Sequence, residues 1–109
     1  MDNQELVELE QRFEMPLYPK RGIALVRGQG EFVWDADGKK YIDCTTGVGV
    51  AILGHAHPAV VSAMERQAGE LMTCYEPFCN AQRARLLERL SGLFGNGRTF
   101  LCNSGTESV

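Results

Sequence analysis

The sequence predicts an α/β chain of the α+β kind: an N-terminal helix, a three-stranded antiparallel meander, two further helices, then a final strand–turn–helix start. Three observations predict it. Apolar residues recur at helical spacing in three separate stretches. Three short β-prone runs lie between the first and second of these, punctuated by glycine turns. The closing stretch passes from an apolar run through Asn-Ser-Gly-Thr to an acidic residue, the order expected where a strand turns into a helix.

The elements follow in order. Asp2 to Phe13 carries Leu6, Leu9 and Phe13 at helical spacing, with Asp2 and Glu5 placed as a capping pair. Met15-Pro16 and Pro19 stop that helix. Ile23–Arg27, Glu31–Asp35 and Lys40–Cys44 read as strands, the first two joined through Gly28-Gln29-Gly30 and the next two through a tight Asp37-Gly38 turn. A sheet this small is marginal without something to pack on. Thr45 to Gly54 is glycine-rich and apolar, either a flexible loop or a backbone built for close approach to a ligand or subunit. Pro58 opens the second helix, with Val60, Met64, Ala68 and Leu71 as its apolar stripe. The third begins near Ala81, places Leu86, Leu87, Leu90, Leu93 and Phe94 on one face, and ends at Gly95-Asn96-Gly97.

Thr99 to Cys102 then reads as a strand and Asn103-Ser104-Gly105-Thr106 as turn and cap, with Glu107 in the first turn of a helix. Unpaired backbone N–H groups there, joined by the hydroxyls of Ser104 and Thr106, form a cup suited to a phosphate. The same residues also suit a capped helix that binds nothing.

A net charge of −3 and the lack of any Lys/Arg run argue against a nucleic-acid partner. Met1-Asp-Asn-Gln-Glu lacks the pattern of a secretory leader, and the longest apolar run, Val48 to Leu53, is too short for a bilayer, so a cytoplasmic chain without membrane contact is expected. Cys44, Cys74, Cys79 and Cys102 form no C-x-x-C pair and read as reduced thiols. His55 and His57 lack convincing partners for a metal site. Helix entry and loop packing are their expected jobs, and no metal is expected.

Asn103-Ser-Gly-Thr-Glu107 resembles the phosphate-binding segment of class III aminotransferases, the fold-type-I enzymes of pyridoxal 5'-phosphate that include acetylornithine aminotransferase. Gly28-Gln-Gly-Glu-Phe-Val-Trp-Asp-Ala-Asp-Gly38 with Lys40-Tyr-Ile-Asp43 is similar to that family's N-terminal strands. Gly47 to Leu53 with Gly54-His-Ala-His-Pro58 is similar to its active-site loop and following helix. The likeness runs from about Leu17 onward.

The resemblance implies an N-terminal segment: residues 1–97 as part of the small domain with linking helices, and 98–109 as the incomplete start of the cofactor-binding large domain. It implies Ser104, Gly105 and Thr106 as holders of the cofactor phosphate. Val50, Tyr75 and Phe78 fall on the substrate side, with Cys79 an alternative to the aromatic position. It further implies transfer of an amino group from an acetylornithine-like ω-amino donor to 2-oxoglutarate, in a homodimer. Such chemistry needs a Schiff-base lysine, and Lys20, Lys39 and Lys40 are the only lysines, all in exposed settings, so no catalytic residue is expected in this chain and the chain alone is expected to be inactive. Two other readings stay open: a stand-alone phosphate- or anion-binding module, and an inactive fragment that keeps only an interaction surface.

Overall fold

A computed structural model describes residues 1–109, which form two compact units, Met1–Gln67 and Ala68–Val109. In the first unit, α1 spans Asn3–Phe13. Its capping box is complete: Asp2 Oδ1 accepts from the Glu5 N–H at 2.9 Å, and the Asp2 N–H donates to Glu5 Oε2 at 3.0 Å. Two further bonds join the helix start to the meander, Asn3 N–H to Asp37 Oδ1 (3.0 Å) and Ala24 N–H to Asn3 Oδ1 (2.8 Å).

The meander is β1 (Leu25–Gln29), β2 (Phe32–Asp35) and β3 (Lys40–Ile42), antiparallel and in that order. The first strand lies two residues later than its β-prone run: Gly28 and Gln29 pair with Val33 and Phe32, and Gly30-Glu31 makes the turn. Register slips between Leu25 and Arg27, as at a bulge. The third strand ends at Ile42, because the Asp43 carboxylate draws Thr45 and Thr46 into a turn.

Alternation along β2 sets the two faces of the sheet. Val33 and Asp35 point to one face and are buried, 7% and 3% exposed. Asp35 is tolerated there because every demand of its carboxylate is met: Oδ1 accepts from the Asp37 N–H (3.1 Å) and the Lys39 N–H (2.8 Å), and Oδ2 from the Tyr41 hydroxyl (2.6 Å). The Tyr41 hydroxyl is the chief reason the Asp35 carboxyl titrates below the usual range, and the same bond raises the Tyr41 phenol. Gly38, at φ +85°, closes the expected Asp37-Gly38 turn. On the opposite face Arg27 stacks on Trp34 at 4.3 Å and Lys40 on Phe32 at 3.4 Å, so cations cover the aromatic rings.

The second unit begins within α3 (Pro58–Glu70), continues through an irregular connection, and carries α4 (Ala81–Leu93). Asn80 caps α4, its Oδ1 accepting from the Gln82 and Arg83 N–H groups at 3.0 Å each. The helix ends where expected, before Gly95 and Asn96 at φ +74° and +60°. Thr99–Cys102 is not a strand, and the helix after it is a single 3-10 turn, Thr106–Ser108. An extended run becomes a strand only by pairing, and no strand of the three-stranded sheet pairs with this one. No helix is long and apolar enough to cross a membrane.

Candidate functional site

Two local structures carry the residues singled out by sequence: the glycine-rich loop of the first unit and the Ser104–Thr106 turn of the second.

The loop is built around Asp43. Its Oδ1 accepts from the Thr45 N–H (3.0 Å), the Thr45 hydroxyl (2.8 Å) and the Thr46 N–H (2.9 Å), while Oδ2 meets His55 Nε2 at 2.7 Å. The His55 bond, then those from Thr45 and Thr46, hold the Asp43 carboxyl far below the usual carboxylate range. Beyond it, α2 (Thr46–Gly49) is a left-handed turn: Thr46, Gly47, Val48 and Gly49 have φ of +48°, +61°, +61° and +82°. Glycine accepts this region freely, but β-branched Thr46 and Val48 do not. Gly30 and His55 exchange backbone bonds of 2.9 and 2.8 Å, which tie the far end of the loop to the meander. Between loop and sheet lies an open cleft of about 320 Å³, lined by Gly30, Glu31, Asp43, Thr46, Gly54 and His55 among others.

Neither histidine stands free. His55 pairs with Asp43. His57 serves the entry of α3, its carbonyl accepting from the Val60 and Val61 N–H groups and its Nδ1 from the Ala59 N–H. The Asp43–His55 pair escaped the sequence reading. Asp43 with threonines two and three positions on was the available signal, since an Asp side chain caps the backbone N–H two residues later in an Asx turn.

Val50 is exposed at the end of the left-handed turn, in the first unit. Tyr75 and Phe78 belong to the second. Their rings meet edge-on at 6.4 Å, and Arg83 braces their segment through Glu76 (2.8 Å) and the Phe78 carbonyl. Cys79 is an exposed thiol beside them.

At the Ser104–Thr106 turn the geometry is that of a partly filled cup. Glu107 folds back so that its Oε2 accepts from the Asn103 N–H (3.1 Å) and the Ser104 hydroxyl (2.7 Å), and Ser104 Oγ accepts from the Glu107 N–H (3.2 Å). The backbone N–H groups of Ser104, Gly105 and Thr106, and the Thr106 hydroxyl, make no bond within the chain. Nothing lies within 4 Å of where a Cβ on Gly105 would stand. Open donors beside an open glycine fit a phosphate group. A carboxylate of the chain itself, that of Glu107, already rests on two neighbouring donors.

The lysines have a different character. Lys20 bonds Glu10 (2.7 Å) and Glu14 (2.6 Å), and these carboxylates raise its ammonium above its ordinary value. Lys39 lies over the Tyr41 ring at 5.1 Å and Lys40 over Phe32. The carboxylates around Lys20 favour its charged ammonium over the neutral amine that a nucleophile requires.

Residues 17–109 match the family model for aminotransferase class-III. The chain is 48% identical over 102 residues to the [LysW]-aminoadipate semialdehyde transaminase of Deinococcus radiodurans, covering 92% of this chain and 24% of that protein. It is 45% identical over 109 residues to the acetylornithine aminotransferase of Streptomyces coelicolor, covering 99% and 27%. The acetylornithine aminotransferase of Elizabethkingia anophelis superposes with a TM-score of 0.93 at 31% identity, over 99% of this chain and 28% of that one. The chain thus spans about a quarter of the length of the curated relatives it matches.

Proposed function

The chain belongs to the class-III aminotransferase family, and from that premise we propose that it is the N-terminal part of an enzyme that moves an amino group from an acetylornithine-like ω-amino donor to 2-oxoglutarate with pyridoxal 5'-phosphate. The observation that carries the cofactor assignment is the set of unspent donors at Ser104-Gly105-Thr106. When bound, pyridoxal phosphate supplies the carbonyl that takes up the amino group and the electron sink that makes the transfer possible.

The residues of this chain bind and orient. The N–H groups of Gly105 and Thr106 and the Thr106 hydroxyl hold the phosphate, while Ser104 is shared with Glu107. Val50 bounds the substrate side from the glycine loop, Tyr75 and Phe78 from the α3–α4 connection. None of the three lysines is the catalytic one, and the 109 residues alone are inactive. Residues 1–97 serve the small domain with its linking helices, and 98–109 open the large one. The working enzyme is a cytoplasmic homodimer, with neither nucleic acid nor membrane as partner.

Apolar exposure favours this segment reading over a stand-alone anion-binding module. Val33 is the one buried hydrophobic residue, while Val48, Val50, Ile52, Phe94 and Phe100 are each at least 77% exposed. Faces of that kind are normally covered by further chain or a partner.

An absorbance titration of the chain with pyridoxal phosphate tests the proposal. Thr106→Ala should weaken binding about tenfold, as expected for one hydrogen bond to a charged group, and Ser104→Ala by less. Glu107→Gln should strengthen it, because an anion leaves the cup. Binding that ignores all three substitutions would refute the placement of the phosphate.

A further inference from the structure

The left-handed turn Thr46–Gly49 poses a physical question. Two of its four residues are β-branched and held at φ +48° and +61°, a region such residues occupy only when their surroundings over-determine it. The turn's own bonds, from the Val48 and Gly49 N–H groups to the Thr45 carbonyl and from Val50 and Ala51 to the Thr46 carbonyl, do not choose the hand. The choice must come from where the turn is entered and left.

Its entry is fixed by Asp43. Three donors from Thr45 and Thr46 converge on Oδ1, and the Asp43 N–H is anchored to the Glu31 carbonyl at 2.8 Å. Its exit is fixed by His55, doubly bonded to Gly30 through the backbone. The 2.7 Å bond between Asp43 Oδ2 and His55 Nε2 closes the ring between entry and exit. Both side chains are largely shielded, 11% and 31% exposed, so water competes poorly for the bond. The His55 ring has no slack either. A Cβ on Gly28 would stand 2.6 Å from His55 Cγ, so the imidazole lies directly on the backbone of β1.

We propose that Asp43 and His55 form a latch that holds Thr46–Gly49 left-handed and thereby sets where Val50 stands. They are positioning residues. The role of Val50 on the substrate side rests on the function proposed above, whereas the latch itself does not.

Amide hydrogen exchange tests it without any cofactor. In His55→Ala, the Val48, Gly49, Val50 and Ala51 amides should exchange about tenfold faster or more, the effect of losing a hydrogen bond to a charged group. Sheet amides such as that of Asp35, bonded to the Lys39 carbonyl, should change by no more than about twofold. His55→Gln, whose amide nitrogen can reach the Nε2 position, should restore most of the protection. Loop amides as protected as before, an equal acceleration in loop and sheet, or a glutamine variant no better than alanine would each overturn the latch. If His55→Ala unfolds the sheet, Asp43→Asn decides: loop-selective acceleration supports the latch, and unchanged loop exchange overturns it. A standing latch with no pyridoxal phosphate binding would remove the cofactor reading alone.

Discussion

Replacing Gly54 by alanine isolates the contact between the glycine loop and the meander. Gly54 has φ +79°, and an added Cβ would lie 3.0 Å from each of the C, Cα and O atoms of Gly30. Holding an L-residue in the left-handed region costs about 1–2 kcal/mol. Ordinary carbon contacts are about 3.5–4.0 Å, so roughly half an ångström must be found. It must come from backbone that is itself fixed by two bonds to His55. Overpacking of this kind adds about 1–3 kcal/mol. Gly22 supplies the control: its φ is +67°, but nothing lies within 4 Å of its added Cβ, so Gly22→Ala carries the conformational cost alone.

Thermal or urea unfolding of the first unit can be followed through Trp34, the only tryptophan. Gly54→Ala should be less stable than Gly22→Ala by about 1–3 kcal/mol, and each kcal/mol corresponds to a Tm difference of about 4–8 °C in a domain of this size. Equal stability of the two variants would refute the reasoning, since it would mean that loop and meander are not in contact at Gly30.

The remaining predictions concern pH and capping. Asp35 and Asp43 both titrate lower in the folded chain than in the unfolded one, so their contribution is complete above about pH 4 and is lost as pH falls through their folded values. Tyr41 is raised, so its contribution is complete below about pH 10 and is lost as pH rises through its folded value. The Tm followed at Trp34 should therefore be level between these limits and fall on either side, with a shallower acid limb in Asp35→Asn; a fall confined to pH 5–7 would contradict the assignment. In the second unit, Asn80→Ala removes the acceptor of two N–H groups and should cost about 1 kcal/mol, read as reduced helicity of α4 by circular dichroism; unchanged helicity would discount the cap.

What could be read from sequence was what depends on near neighbours. The Asp2–Glu5 capping box, the Asp37-Gly38 turn, Pro58 at a helix start and the glycine stop after α4 each involve residues within a few positions, and each stands where it was expected. What could not be read depends on distant partners. Gly28 looks like a turn residue in sequence, yet it is a strand residue whose missing side chain makes room for His55. The Asp43–His55 bond spans 12 positions, and neither residue alone announces the other. Thr99–Cys102 has the composition of a strand but no pairing partner, and composition cannot supply one. The turn at Ser104-Gly105-Thr106 was legible. The return of Glu107 onto Asn103 and Ser104 was not, because a capping carboxylate and a phosphate seek the same N–H groups.

The central claim is that this chain brings a phosphate cup to an aminotransferase and leaves the catalytic lysine to another part of it. Borohydride reduction of the chain mixed with pyridoxal phosphate, followed by peptide mass analysis, tests it most directly. The account predicts saturable binding with no stoichiometric adduct on Lys20, Lys39 or Lys40, the three lysines of the chain. A stoichiometric adduct on any one of them would contradict it and place the catalytic amine within these 109 residues.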